Sequence, residues 1–269
     1  MELLKPEHLI LGHEKFNASD LNGEEVSYAG YHGDKQTGFL RYSDLDIVKG
    51  TIVLVHGIRG NKEHFLPMAN RLAANGYNSV AIDLRAHGES EGQYCTFGVH
   101  EKFDVIGLLD YLEKEKGLNS NFGIWGQSLG GAVSIQVLAI DSRFKFGIIE
   151  STFTDYETIA NDYFQYFANF NCSPMMDYLV YRSGQIAEFD PYDARPLEKC
   201  KQITQPVLMV HGDKDRRISI DYGKANFENL RSEKKKFLSI DGGTHLNLWQ
   251  IGGDEYFQEV ISFIDSVDE

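Results

Sequence analysis

Gly126-Gln127-Ser128-Leu129-Gly130 decides how this chain reads. It has the form G-x-S-x-G, and its flanks give it meaning. Before it, Asn121 to Trp125 reads as a short buried strand. After it, Gly131 to Leu138 reads as a helix. A serine on a sharp strand-to-helix turn is forced out of the backbone, with its Oγ above the sheet edge. Glycines at 126 and 130 remove side chains that would clash in so crowded a turn. The helix that follows aims its N-terminus at the serine and favours negative charge there. Ser128 is therefore expected to be a nucleophile.

The same alternation runs outward in both directions. Glu25–Tyr28 and Gly38–Tyr42 read as two opening strands that could pair antiparallel. Thr51–Val55 is an unbroken apolar, β-branched run, as a strand buried on both faces requires. A helix is expected from near Lys62 to Gly76, with Phe65, Ala69, Leu72 and Ala73 on one stripe. Tyr77–Ile82 is the next strand, and Val105, Leu108, Leu109 and Leu112 mark the next helix. Phe146–Ile149, Pro206–Val210 and Lys236–Ile240 complete the strands. Helices are expected near 219–231 and 254–267. Strands alternating with amphipathic helices predict an α/β fold with a mostly parallel, doubly wound sheet.

Residues 152–200 interrupt this alternation and read as a small cap inserted in one α/β domain spanning 1–269. The stretch holds eleven of the chain's 17 Phe and 14 Tyr. So uneven a distribution has two explanations: a hydrophobic core for the cap, or the lining of an apolar substrate pocket. Residues 1–22 lack periodicity and are expected to pack as an arm.

The net charge of −14 repels nucleic acid and anionic headgroups. The basic run Lys234–Lys236 reads as solvated surface near a helix end. Cys95, Cys172 and Cys200 are odd in number and form no C-x-x-C, so free thiols in a reducing compartment are expected, with neither a disulfide framework nor a metal site. No apolar run approaches the ~20 residues of a membrane span. The N-terminus shows no signal-peptide pattern. A cytoplasmic protein follows as the expectation.

A serine hydroxyl needs a base within reach. His245, in Gly242-Gly243-Thr244-His245 after the last strand, lies where the C-terminal sheet edge also places Ser128. His56 and His211 also end strands, but each precedes a glycine and reads as structural. The base needs an acid to hold its tautomer. Asp213 and Asp215 both follow the penultimate strand. Asp215, past the tight turn, has the better reach, while Glu150 and Asp83 are distant substitutes. The Leu129 N–H and the Ile58 N–H, after His56-Gly57, are the expected oxyanion donors.

With these pieces assembled, the chain resembles the serine hydrolases of the α/β-hydrolase superfamily from about residue 25 onward. The resemblance rests on His56-Gly57, Asp83–Ser90, Gly126–Gly130, His211–Asp215 with Ile218, and His245. The acid-loop spacing is similar to the family's and strengthens Asp215 over Asp213. The Asp83–Ser90 block resembles a structural loop of the family. Glu150-Ser151-Thr152-Phe153 is similar to the branch of small-molecule esterases, monoacylglycerol lipases and depalmitoylases. The chain departs from esterases bearing H-G-G-G, and it lacks the depalmitoylases' N-terminal cysteine cluster, which argues against recruitment to membranes by lipidation. The resemblance implies a hydrolase of carboxylic esters or thioesters of a small or medium apolar acyl group, needing no cofactor. An acyltransferase or serine peptidase with the same triad is the alternative, and a silent binding protein on this fold is a third reading.

Overall fold

A computed structural model describes residues 21–118, 121–168 and 173–267. The expected N-terminal arm and Cys172 lie outside the described residues, apart from the arm's last two. Eight strands form one sheet: β1 (Gly23–Ala29), β2 (Lys35–Arg41), β3 (Gly50–Val55), β4 (Tyr77–Asp83), β5 (Phe122–Gln127), β6 (Phe144–Glu150), β7 (Val207–Gly212) and β8 (Lys235–Ile240). Their order across the sheet is β1-β2-β4-β3-β5-β6-β7-β8. β1 and β2 pair antiparallel, as does β2 with β4, and every later pair is parallel. The sheet is thus mostly parallel and flanked by helices on both faces.

The strands β3, β4, β5 and β7 are buried along their whole length, which is why each is dominated by apolar residues. β8 lies at the sheet's edge and is only partly buried. Its lysines suit an edge that must not pair with another chain. Lys235 Nζ also donates to the carbonyls of Phe227 and Leu230, covering the open C-terminal end of the helix before it.

The described residues form eight α-helices: α1 (Leu66–Ala74), α2 (Glu101–Glu115), α3 (Leu129–Leu138), α4 (Tyr156–Ala168), α5 (Ser173–Ala187), α6 (Pro196–Cys200), α7 (Ile220–Asn229) and α8 (Leu248–Asp265). α1, the turn before it and α8 pack on one face through Phe65, Leu72, Tyr256, Phe257 and Val260, against Ile52, Leu54 and Trp125. α2 and α3 pack on the other through Val105, Leu108, Leu109, Val133 and Val137. The helix expected from Lys62 begins instead as a 3₁₀ turn, Lys62–Phe65, with α1 starting at Leu66. Pro67 lacks the N–H that would continue the ladder, so the α-helix starts afresh around it. The helix expected at 254–267 follows Gly253 and runs to Asp265; a short helical segment from Leu248 precedes it, set off by a kink at Gly253, whose φ of 54° no regular helix adopts.

Between β6 and β7 the chain is helical rather than extended. α4 and α5 pack on each other, whereas α6 packs on α3 and α7 of the main layer. Among the described residues no helix is long and apolar enough to cross a membrane. Cys95 and Cys200 are buried free thiols, and burial pushes Cys200 up to about 12.

The chain's connectivity locates its working edge. It runs from β3 outward to β4, then returns past β3 to β5. The C-terminal ends of β3 and β5 therefore flank the crevice where the order reverses.

Candidate active site

Ser128 caps the N-terminus of α3 with φ 58° and ψ −116°, a conformation that costs a non-glycine residue energy. The surroundings over-determine it. Its N–H donates to the Glu150 carbonyl at 2.8 Å, and its own carbonyl accepts from Thr152 Oγ1 at 2.9 Å. The glycines are required by close approach. A Cβ on Gly130 would lie 2.0 Å from the Val55 carbonyl oxygen, and one on Gly126 would lie 2.2 Å from that of Gly130. Gly57 passes beside Ser128 itself, where a Cβ would stand 3.2 Å from Ser128 Cβ.

His245 reaches Ser128 from the loop after β8. Its Nε2 lies 3.0 Å from Ser128 Oγ, and its Nδ1 lies 2.8 Å from Asp215 Oδ2. All three side chains are buried. Asp215 Oδ1 is occupied by the N–H groups of Arg217 and Ile218, at 2.9 and 3.0 Å. Burial raises the Asp215 carboxyl, but hydrogen bonds from His211, His245 and the Ile218 backbone outweigh it and hold the group well below the usual carboxylate range. A carboxylate so held stays charged and fixes a proton on Nδ1, leaving Nε2 free to accept one from Ser128.

The rejected alternatives are engaged elsewhere. Asp213 accepts from the Gly242 N–H and from Lys214. Asp83 binds the Lys62 and Glu89 N–H groups and the Lys62 ammonium. His56 bridges Gly57 O and the Leu84 N–H, and burial beside His87 pushes it down to about 3, so it is a neutral structural group. His211 is less remote than the sequence suggested. Its Nε2 lies 3.0 Å from Ile218 O and 3.5 Å from Asp215 Oδ2, so it backs the acid loop.

Beside Ser128 lies a cavity that opens to solvent. Ile58 and Leu129, the expected oxyanion donors, line it together with Ser128. Its other walls are Phe97, Phe153, Ile218 and the α4 residues Tyr156, Ile159, Ala160 and Tyr163. None of these carries a charge at neutral pH. The aromatic stretch thus divides. Phe153, Tyr156 and Tyr163 line the cavity, and Phe189 packs behind Tyr156 at 5.9 Å between ring centroids. Tyr166, Tyr178, Tyr181 and Tyr192 face outward, which neither explanation anticipated. The side chains of Phe167 and Phe170 lie outside the described residues. No group of three or more His, Cys, Asp or Glu among the described residues is placed to hold a metal ion.

Known proteins give this geometry a context. Residues 46–178 match the family model described as serine aminopeptidase, S33. The chain is 25% identical over 270 residues to the uncharacterised protein YfhR of Escherichia coli K12, covering 96% of this chain and 84% of that one. It is 29% identical over 217 residues to protein bem46 of Schizosaccharomyces pombe, covering 80% and 67%. In three dimensions it is similar to an esterase of Pyrococcus furiosus, with a TM-score of 0.79, 20% identity and 98% of each chain covered. That last likeness is one of fold.

Proposed function

We propose that this chain, which has the α/β-hydrolase fold and matches the serine aminopeptidase S33 model over residues 46–178, is a hydrolase that cleaves carboxylic esters or thioesters of small or medium apolar acyl groups through an acyl-enzyme on Ser128. One observation carries the reading: His245 stands between Ser128 and Asp215 at 3.0 and 2.8 Å, beside an uncharged cavity. In this reading Ser128 Oγ attacks the acyl carbonyl and gives its proton to His245 Nε2. The tetrahedral oxyanion is held by the N–H groups of Leu129 and Ile58, each such donor contributing ~3 kcal/mol. Asp215 stabilises the imidazolium. The C–O or C–S bond then breaks, and His245 returns the proton to the leaving alcohol or thiol. Water, deprotonated by His245, attacks the acyl-enzyme and releases the acid.

The family model's description makes an aminopeptidase the second reading. An aminopeptidase must hold a charged α-amino group, which calls for a carboxylate in the substrate pocket. The cavity beside Ser128 is lined instead by apolar and tyrosyl side chains. That favours an apolar acyl group.

The testing experiment is hydrolysis of p-nitrophenyl esters from acetyl to palmitoyl, beside aminoacyl p-nitroanilides. The expected result is a rate that peaks at a short or medium acyl length and is lost in Ser128→Ala. Faster turnover of the anilides would favour the peptidase, and activity unaffected by the substitution would end the reading.

A further inference from the structure

Glu150 ends β6, is fully buried, and takes no part in the mechanism above. Its carboxylate nevertheless gathers four side-chain donors from separate parts of the chain. Trp125 Nε1 donates to Oε1 at 2.7 Å, and Gln127 Nε2 donates to Oε2 at 3.2 Å. Trp249 Nε1 lies 3.0 and 3.1 Å from the two oxygens, and the Tyr256 hydroxyl also donates to Oε1.

The positions of these donors give the cluster its meaning. Gln127 immediately precedes Ser128. Trp249 lies in the first turn of α8, four residues after His245. The Gln127 amide oxygen faces His64 Nε2 at 2.8 Å, and His64 lies six residues after Ile58. The nucleophile's strand, the segment after the base and the segment after Ile58 thus meet at one carboxylate. The rings of Phe65, Trp125, Trp249 and Tyr256 pack around it, leaving a medium in which each of these hydrogen bonds is strong and each loss is costly.

We propose that Glu150 is a positioning residue for the reaction: its carboxylate clamps the strand before Ser128 to the helix after His245, and so sets the distance between nucleophile and base. This rests on the reading of Ser128 as nucleophile. The donor set selects the ionised form. Indole N–H groups only donate, and the Gln127 amide turns its NH₂ toward Glu150, so a neutral acid would have only the Tyr256 hydroxyl to receive its proton. Burial raises the carboxyl above its ordinary value, and the four donors pull against it.

The substitution Glu150→Gln keeps the shape but replaces one oxygen with an NH₂ group that faces indole or amide N–H groups, which cannot accept. One or more of Trp125, Gln127 and Trp249 then loses its partner, and the two arms of the site separate. The test is labelling of Ser128 with a fluorophosphonate over a range of reagent concentrations. Glu150→Gln is expected to lower the limiting labelling rate constant roughly 10- to 100-fold. The half-saturating concentration should stay unchanged, because the cavity is untouched. The chain's two tryptophans are both partners of Glu150, so their emission should shift in the same variant.

A purely structural role would reduce the fraction of protein that labels, not the rate constant of the fraction that does. A limiting rate constant equal to wild type therefore overturns the proposal. Should Glu150→Gln fail to fold, Trp249→Phe removes one donor and leaves the carboxylate in place. It is expected to slow labelling at least about fivefold, and an unchanged rate again overturns the proposal. Wild-type protein that never labels at Ser128 would remove the underlying reading, and this one with it. Wild-type protein that labels while both variants label equally fast would remove this one alone.

Discussion

His245 Nε2 stands 3.0 Å from Ser128 Oγ, although 117 residues separate the two in the chain. The sheet closes that gap. β5 delivers Ser128 and β8 delivers His245 to the same edge, three strands apart in the order β5-β6-β7-β8. β7 lies between them and brings Asp215 to the far side of the imidazole. Ser128, His245 and Asp215 each follow a parallel strand that ends at this one edge.

Asp215→Asn is expected to lower kcat by about 10⁴ while leaving the fold intact, since an amide does not hold the imidazole in the required tautomer. The same substitution has a signature in stability. The folded-state carboxyl of Asp215 is held below its unfolded value, so its contribution is present above the unfolded value of ~3.9 and is lost as pH falls through the folded one. Urea unfolding of wild type and variant should show a constant gap above about pH 5 that narrows below about pH 4. A gap that widens on acidification would contradict the assignment.

Gly130 and Gly57 separate stability from activity. A Cβ at Gly130 would meet the Val55 carbonyl at 2.0 Å, so Gly130→Ala forces two backbones apart and should cost ~3 kcal/mol or more. A Cβ at Gly57 would approach less closely, at 3.2 Å from Ser128 Cβ, 3.4 Å from the Gln127 carbonyl oxygen and 3.7 Å from Ser128 Oγ. Gly57→Ala should lower ester hydrolysis with much less loss of stability. Thermal unfolding and initial rates on the two variants decide the matter. Equal destabilisation by both would show that Gly57 serves the fold alone.

Ala160 projects from α4 into the cavity beside Ser128. Ala160→Leu fills part of that space and should move the preferred p-nitrophenyl ester toward shorter acyl chains, at a stability cost of ~1–3 kcal/mol. A chain-length profile identical to wild type would place the acyl group elsewhere.

The residues that sequence reasoning reached share one property, which is that their chemistry is signalled locally. Ser128 sits within a five-residue pattern between a strand and a helix. Asp215 and His245 each follow an apolar run by a few residues. Central strands such as β3 and β7 are legible because burial on both faces leaves only apolar residues. α3 is less so, since it is buried all round and shows no polar face. The Glu150 cluster left no comparable trace. Its partners Trp249 and Tyr256 lie 99 and 106 residues away, and no spacing rule links them. The α8 break at Gly253 and the 3₁₀ start before α1 were missed for a related reason. Apolar periodicity reports which face is buried, not the hydrogen-bond ladder beneath it.

The most direct measurement is the intermediate itself. Wild-type protein is mixed with a short-chain p-nitrophenyl ester, quenched in acid, digested and weighed by mass spectrometry. The account predicts an added acyl mass on the peptide that holds Ser128, absent from Ser128→Ala, with kcat in that variant lower by ~10⁵–10⁶. A variant that kept a tenth of the wild-type rate, with no acyl group on Ser128 in either protein, would contradict it.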